Sequence, residues 1–331
     1  MSGTLQALPE LLDLHPAPAD VRRLVIEGLS RSPKQLPAWF LYDTEGSRLF
    51  DLICQQPEYT LTATETALLE REAPAIATAL GPGTLVEFGA GSARKVSPLL
   101  AAQAAAGRRP AYVALDISAD HLQQACGRLQ RRHPEAAILG ICCDYSQLHD
   151  LPAHGLLSGT AHLGFFPGSS LGNFEPEAAI ALLRQFRRLL GPGGQLLIGI
   201  DQPKPVARLE AAYNDAAGVS AAFALNLLAR LNRELAGDFD LSAFRYRARW
   251  RPETSQIEMA LLSERAQTVT LADQCWSFAA GEALITETSA KYSPEAFLQL
   301  AAAAGWRGAE RWSDPAGDLS LHRLLQADSE H

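Results

Sequence analysis

Glycines and carboxylates stand where apolar runs of the sequence end, a placement suited to holding a nucleotide. Gly89 and Gly91 follow the run TLVEF, where they permit a tight turn and let a ligand approach the main chain. Asp116 ends the next apolar run, and a carboxylate there can accept hydrogen bonds from both hydroxyls of a ribose. Asp144 and Tyr145 end a third run, where the amine and ring of an adenine would lie. The sequence therefore predicts a nucleotide-type ligand at one edge of a sheet.

The residues alone leave three interpretations of this turn. A simple tight turn needs only the glycines, and Asp116 by itself also suits a helix cap, with Ser118 as a rival for that position. An NAD site would have a third glycine near position 94, where Arg94 stands. Glu87, two residues before the first glycine, is more typical of methyltransferases, and GPGG at 191–194 is a further recurrent feature of their fold. The combination favours S-adenosylmethionine over NAD.

The elements that must position these residues alternate between strand and helix as far as Asp201. Nearly continuous apolar runs predict buried parallel strands, and most of the segments between them have helical patterns. The predicted strands are 84–88, 111–116, 136–144, 161–166 and 194–201, and the predicted helices are 94–106, 118–132 and 176–190. This rhythm predicts a doubly wound α/β sheet.

Beyond Asp201 the pattern changes and later returns. Residues 244–251 alternate strictly between arginines and apolar or aromatic residues, which predicts a strand with four arginines on one face. This face is either an anion site or, as we favour, a solvated face of a sheet. The segment 293–305 predicts a helix, and two strands are expected after it.

The number of strands suggests how the chain is divided. A class I S-adenosylmethionine methyltransferase sheet needs seven strands, and only five precede Asp201. We therefore expect a Rossmann-like α/β methyltransferase domain formed by 64–203 plus 291–331. The segments 1–63 plus 204–290 are expected to form a second, α+β domain that binds the substrate.

Composition and charge exclude several classes of partner. The 331 residues carry a formal net charge of −8, so the chain lacks a basic field for a phosphate backbone and we expect no nucleic-acid partner. We expect no membrane association, because no apolar stretch reaches the roughly 18 residues that a membrane span requires. No secretory signal pattern opens the chain. The cysteines form no CxxC pair, so we expect reduced thiols in a cytoplasmic protein. The histidines form no HExxH pair, so we expect no metal. We also expect a monomer.

Several longer motifs are more specific than the turn. They are LPAWFLYDTEGSRLFDLICQQPEYTLTATE at 36–65, GSSLGN at 168–173, the segment 215–240, IEMALL at 257–262 and ITETSAKY at 285–292. Together they resemble the histidine-specific Nα-methyltransferases of ergothioneine biosynthesis, and the resemblance covers nearly the whole chain. It implies that the α-amine of L-histidine is trimethylated to hercynine, with S-adenosyl-L-methionine as donor and S-adenosyl-L-homocysteine as product.

The resemblance also implies roles for matched positions. The cofactor pocket would be lined by Gly89, Gly91, Lys95, Asp116, Asp144 and Tyr145, with Tyr42 near the methionine end. The main-chain groups of the amino acid would be held by Tyr59, Gly168, Asn173 and Tyr213, and its imidazole would be surrounded by Met259, Glu287 and Ser289. Asn173 and Tyr42 are the candidate catalytic residues.

Three of these roles can be weighed chemically. Asn173 suits an amine that must be neutral to attack, because an amide accepts from N–H without forming an ion pair; a helix cap is the alternative. Glu287 suits the imidazole N–H, and alternation puts it on one face with Ser289; a surface glutamate is the alternative. Tyr59 precedes a capping-box pattern at 62–65, so it would cover the pocket or act as a hydrophobic staple.

Three departures from the family pattern concern the pocket. Where the family usually has WFYD, this chain has WFLYD, with a residue inserted before Tyr42. The usual FLGS is FPGS, with Pro167, and Ala260 replaces the more usual aromatic residue after Met259. These departures leave open the same chemistry on another amino acid or amine. A catalytically silent S-adenosylmethionine-binding homologue is a further alternative, against which the intact pocket motifs argue.

Overall fold

The computed structural model describes residues 9–14 and 20–327, and the parts of the expected domains at 1–8, 15–19 and 328–331 lie outside the described residues. Its strands are β1 (Glu10–Asp13), β2 (Lys34–Gln35), β3 (Thr84–Phe88), β4 (Ala111–Asp116), β5 (Ala137–Cys142), β6 (His162–Phe166), β7 (Gln195–Asp201), β8 (Phe244–Arg251), β9 (Gln256–Ser263), β10 (Gln267–Leu271), β11 (Gln274–Phe278), β12 (Ala283–Ala290), β13 (Trp306–Ser313) and β14 (Leu319–Gln326). Its helices are α1 (Val21–Leu29), α2 (Thr44–Ile53), α3 (Leu61–Leu80), α4 (Ser97–Ala105), α5 (Ala119–Arg132), α6 (Pro176–Leu190), α7 (Val206–Ala212), α8 (Val219–Leu235) and α9 (Pro294–Ala303). Within these ranges no helix has the length and apolarity to cross a membrane.

The main sheet has the strand order β1-β5-β4-β3-β6-β7-β14-β13. The strands from β1 to β7 in that order pair in parallel, whereas β14 is antiparallel to β7 and β13 is antiparallel to β14. The direction of winding reverses at β3, whose neighbours are β4 and β6, and ligands bind such sheets at the carboxyl ends beside the reversal. This is the Rossmann-like fold of class I methyltransferases, and the tail completes it as expected.

The main sheet differs from expectation at one edge. It has eight strands rather than seven, because β1 pairs in parallel with β5 and places Leu11 opposite Gly140. The sequence pattern assigns this segment to 1–63 of the second domain, so that part of the expectation is wrong. Four residues are too few for a periodic pattern to identify a strand, and here the open edge of β5 provides the partner. The helix expected from position 94 also begins later, at Ser97.

Alternate residues of the central strands face opposite hydrophobic clusters. Leu85 and Tyr112 pack on one side with α3, α4 and α5, whereas Val86 and Val113 pack on the other side with α6 and α9. Burial on both faces explains the continuous apolar runs in the sequence. The loops at the strand ends are therefore mounted on a closely packed platform.

A second sheet has the order β2-β12-β9-β8. β12 and β9 are antiparallel, with Glu287 opposite Met259 and Ser289 opposite Ile257. β12 also contacts the 3-10 turn at Ser170–Asn173, which follows β6. The second sheet thus lies against the carboxyl edge of the main sheet, and we propose that the two sheets mark two domains.

The arginines of β8 lie over an acidic partner on the neighbouring strand. Arg247 and Arg251 pair with the Glu258 carboxylate at 3.2 and 2.8 Å. Their side chains are about one third exposed. This geometry agrees with the solvated sheet face rather than with a free anion site.

Candidate active site

The turn after β3 is attached to the end of β4. Gly89 and Gly91 have φ angles of 70° and 50°, in the left-handed region that favours glycine. The amides of Gly89 and Ala90 donate to a carbonyl of β4 at 2.9 and 3.0 Å. The amide of Gly91 donates to the Asp116 carboxylate at 2.8 Å. The turn and the predicted ribose-binding carboxylate therefore form one unit.

The ends of β4 and β5 supply the other cofactor candidates. Ser118, rather than Asp116, is the residue that precedes α5 as its cap. Asp144 accepts hydrogen bonds within its own loop at 2.9 and 2.6 Å. The Tyr145 hydroxyl lies only 3.5 Å from where a Cβ at Gly89 would stand. The carboxyl ends of β3, β4 and β5 thus bring the predicted residues to one edge of the sheet.

Glu65 joins the cofactor candidates to the loop after β6. Its fully buried carboxylate pairs with Lys95 Nζ at 2.6 Å and accepts from the amide of Gly168 at 2.8 and 2.9 Å. The capping-box interpretation of 62–65 is therefore wrong, since α3 begins at Leu61 and Glu65 faces the interior, where it meets a cation. Lys95 and Gly168, which the sequence argument assigns to different ligands, share this carboxylate.

A cavity beside this loop brings together the eight residues predicted to hold the amino acid or lie near the reaction. They come from the segment before α3, the loop after β6, the end of α7, and the strands β9 and β12. The lining residues are Tyr42, Tyr59, Gly168, Asn173, Tyr213, Met259, Glu287 and Ser289. Further lining residues that the sequence argument did not single out include Phe50, Phe223, Tyr246 and Thr286.

Tyr42 forms part of the cavity wall and is 38% exposed. Its ring packs edge-on against Phe50 and Phe223, with centroids 5.5 and 5.3 Å away. The inserted residue in WFLYD therefore leaves Tyr42 in the wall. Ala260 is fully buried and, by alternation along β9, faces away from the side that carries Met259.

Polar groups inside the cavity form two pairs. Asn173 Nδ2 donates to Glu287 Oε1 at 2.9 Å, and the hydroxyls of Tyr213 and Ser289 lie 3.0 Å apart. Glu287 and Ser289 share one face of β12, as alternation predicts, and the surface alternative for Glu287 is wrong because it is 8% exposed. The cap alternative for Asn173 is also wrong, since Glu175 precedes α6.

Nearly the whole chain matches one protein family. Residues 21–326 match the family described as S-adenosylmethionine-dependent, histidine-specific methyltransferases. The chain belongs to this family. It is 40% identical to the histidine N-alpha-methyltransferase of Mycolicibacterium smegmatis and 38% identical to that of Mycobacterium tuberculosis, each over 91% of this chain and 93% of the relative. It is 31% identical to ergothioneine biosynthesis protein 1 of Neurospora crassa, over 89% of this chain and 33% of that protein.

Two buried carboxyl groups of this histidine-specific methyltransferase have strongly raised pKa values. Burial raises the pKa of Glu287 to about 8, although the Lys291 ammonium opposes the shift. Burial also raises the pKa of Glu87 to about 8, against the opposing effect of a 2.6 Å hydrogen bond from Tyr112. In the described residues, no group of three or more His, Cys, Asp or Glu side chains is placed to hold a metal ion.

These raised pKa values predict a pH-dependent stability. We expect the free energy of unfolding of the ligand-free protein to fall as the pH rises from about 6.5 to about 8. The unfolded carboxyl groups, with an ordinary pKa of 4.5, have lost their protons in this range, whereas Glu87 and Glu287 retain theirs in the folded state. The folded state binds more protons, so stability decreases with pH. Burial lowers the pKa of His322 to about 4, so this residue affects the pH dependence of stability below this range.

Denaturant unfolding at several pH values checks this expectation. Glu287→Gln removes one of the two groups and should make the decrease shallower, while Glu87 maintains the remainder. An unchanged pH dependence in Glu287→Gln would show that Glu287 does not retain its proton when the protein folds.

Sequence reasoning missed two buried charged residues at this site, Glu65 and Lys291. Glu65 interrupts the apolar face of α3, where Leu61, Leu68 and Leu69 are its buried neighbours. A lone carboxylate at a core position of an amphipathic helix is a usable signal, because buried charges require a partner. Lys291 shares the face of Glu287, which the same reasoning could have used.

Proposed function

We propose that this protein transfers three methyl groups from S-adenosyl-L-methionine to the α-amine of L-histidine. The products are hercynine and three molecules of S-adenosyl-L-homocysteine, in the first step of ergothioneine biosynthesis. The observation that carries the proposal is the Asn173–Glu287 pair, in which a partly buried amide for the amine contacts a buried carboxyl group for the ring at 2.9 Å. Membership of the histidine-specific family and the activities named for its relatives support the proposal.

The amine has to be neutral before it can attack a methyl group. We propose that the Asn173 amide oxygen accepts from the amine, since Nδ2 already donates to Glu287. A neutral acceptor avoids the ion pair that would raise the amine pKa. Tyr59 packs edge-on against Tyr213 with centroids 5.8 Å apart, and this aromatic wall excludes water from the amine.

The other end of the cavity suits an imidazole. Glu287 and Ser289 offer polar atoms on one face of β12, and Met259 packs opposite Glu287 on β9. A phenylalanine or leucine side chain would leave the remaining hydrogen-bonding capacity of these buried groups unpaired, which costs about 1–3 kcal/mol for each group. The site therefore favours histidine over apolar amino acids of similar size.

The residues at the edge of the main sheet fit the methyl donor. S-adenosylmethionine supplies an already activated methyl group, so the protein has to position the reactants and exclude water. A Cβ at Gly91 would meet nothing within 4 Å, which leaves open space beside the Asp116 carboxylate. We propose that the adenosine part is held by Gly89, Gly91, Asp116, Asp144 and Tyr145, and that the methionine part lies near Lys95 and Tyr42.

Mass spectrometry of L-histidine incubated with the protein and S-adenosylmethionine tests the proposal. We expect a product that carries three added methyl groups, together with three equivalents of S-adenosylhomocysteine. Competition with phenylalanine, tryptophan and histamine should leave histidine as the preferred acceptor. No methyl transfer to histidine, or a clear preference for another amino acid, would refute the assignment.

A further inference from the structure

Lys291 is a buried cation behind the ring-binding side of the cavity. It follows β12, and its side chain has no exposed surface. Its ammonium group contacts Asp201 Oδ2 at 2.8 Å, the Tyr213 hydroxyl at 2.6 Å and the Ser289 hydroxyl at 2.9 Å. An ammonium group has three N–H donors and no acceptor, so each proton of Lys291 has one partner.

These contacts determine what the two hydroxyls can offer a ligand. A hydroxyl has one proton and two lone pairs. Because Lys291 donates to both oxygens, Tyr213 and Ser289 each retain a proton for another acceptor. One of these protons lies between the two oxygens, which are 3.0 Å apart. Either hydroxyl can instead turn its proton toward an acceptor in the cavity.

We propose that Lys291 is a positioning residue that holds the Tyr213 and Ser289 hydroxyls as donors, one toward the substrate carboxylate and one toward the bare ring nitrogen. This inference rests on the proposed function, because it assigns both acceptors to L-histidine. Glu287, on the same face of β12, supplies the acceptor for the ring N–H. The ring is then recognised by one donor and one acceptor, a pattern that a neutral imidazole matches and that phenyl and indole rings do not.

The charge of Lys291 is balanced by a carboxylate that does not line the cavity. Asp201, at the end of β7, is almost fully buried and pairs with both Lys291 and Lys204. Burial opposes the charged form of Lys291, but the Asp201 carboxylate and Tyr213 hold its pKa above the ordinary value. Lysine at 291 therefore remains a cation that donates and does not accept.

Lys204 provides a matched control for Lys291. Both lysines are largely buried and both contact Asp201. In the part of the chain that the structure describes, Lys291 contacts the two cavity hydroxyls and Lys204 does not. Removing either lysine disturbs the same carboxylate, but only one removal changes the hydroxyls.

The experiment compares Lys291→Met with Lys204→Met in the full-length protein, once methylation of L-histidine by the unsubstituted protein has been measured. We expect Lys291→Met to raise the KM for L-histidine by roughly ten- to a hundredfold. The KM for S-adenosylmethionine should change by less than about threefold, and Lys204→Met should leave both KM values within about threefold. Thermal unfolding of each variant reports any loss of folded protein.

A double-substitution cycle makes the result independent of general destabilisation. If Lys291 acts through the hydroxyls, Ser289→Ala should raise the KM for L-histidine by a much smaller factor in the Lys291→Met background than in the unsubstituted protein. Equal KM values for the two lysine variants, or additive effects in the cycle, would overturn the role of Lys291 and leave the proposed function intact. An unsubstituted protein that does not methylate L-histidine would instead overturn the proposed function itself.

Discussion

Glu287→Ala is expected to raise the KM for L-histidine by at least about a hundredfold while the KM for S-adenosylmethionine stays within about threefold. Two losses combine in this variant. The imidazole N–H loses its acceptor, and Asn173 Nδ2, which donates to Glu287 at 2.9 Å, loses its partner in a partly buried site. Asn173 and Glu287 both line the cavity proposed for the amino acid. The turn at Gly89 and Gly91, where we propose that the cofactor binds, is held by other contacts.

Steady-state kinetics and calorimetry with each ligand separately check this expectation. Glu258→Ala is the matched control, because Glu258 is a similarly buried carboxylate on the neighbouring strand β9. It pairs with Arg247 and Arg251 on the face away from Met259. Equal losses of affinity for L-histidine and for the cofactor in Glu287→Ala would contradict a ring-binding role. So would an equally raised KM for L-histidine in Glu258→Ala.

The cofactor edge was the part of the site that residue patterns alone could predict. Parallel strands end at a common edge, so Gly89, Asp116 and Tyr145 had to meet once the apolar runs were assigned to one sheet. Alternation along ITETSAKY likewise placed Glu287 and Ser289 on one face, and the structure confirms this. These predictions rest on apolar runs and on the alternation of side chains along single strands, and both patterns are visible in the sequence itself.

The rest depended on contacts between distant segments. Tyr42, Tyr59 and Tyr213 lie on different segments, and only the family resemblance indicated that they line one cavity. The partners of Glu65 and Lys291 could not be predicted, because the pairs Glu65–Lys95 and Lys291–Asp201 each join segments that are distant along the chain. Strand β1 was missed for a similar reason, since its pairing depends on the open edge of β5.

Asn173→Asp is expected to lower kcat at neutral pH by roughly ten- to a thousandfold, because a neighbouring carboxylate raises the pKa of an amine by about 1–3 units. A raised amine pKa reduces the neutral fraction that can attack the methyl group. The rate of Asn173→Asp should therefore recover as the pH increases, with its midpoint shifted upward from that of the unsubstituted protein. Measurement of kcat from neutral to alkaline pH at saturating S-adenosylmethionine checks both the loss and its recovery.

Asn173→Ala separates the charge effect from the loss of a contact. Alanine also removes the amide that contacts Glu287, but it places no charge beside the amine, so its kcat should fall without an upward shift of the pH midpoint. In Asn173→Asp the new carboxyl group would also stand beside Glu287, and two acids at this distance share a proton below the higher of their pKa values. This sharing broadens the pH dependence of the aspartate variant alone, because loss of the shared proton adds negative charge beside the amine and raises the amine pKa further. Identical pH profiles for the two variants would therefore show that a neutral acceptor for the amine is not what the reaction requires at position 173.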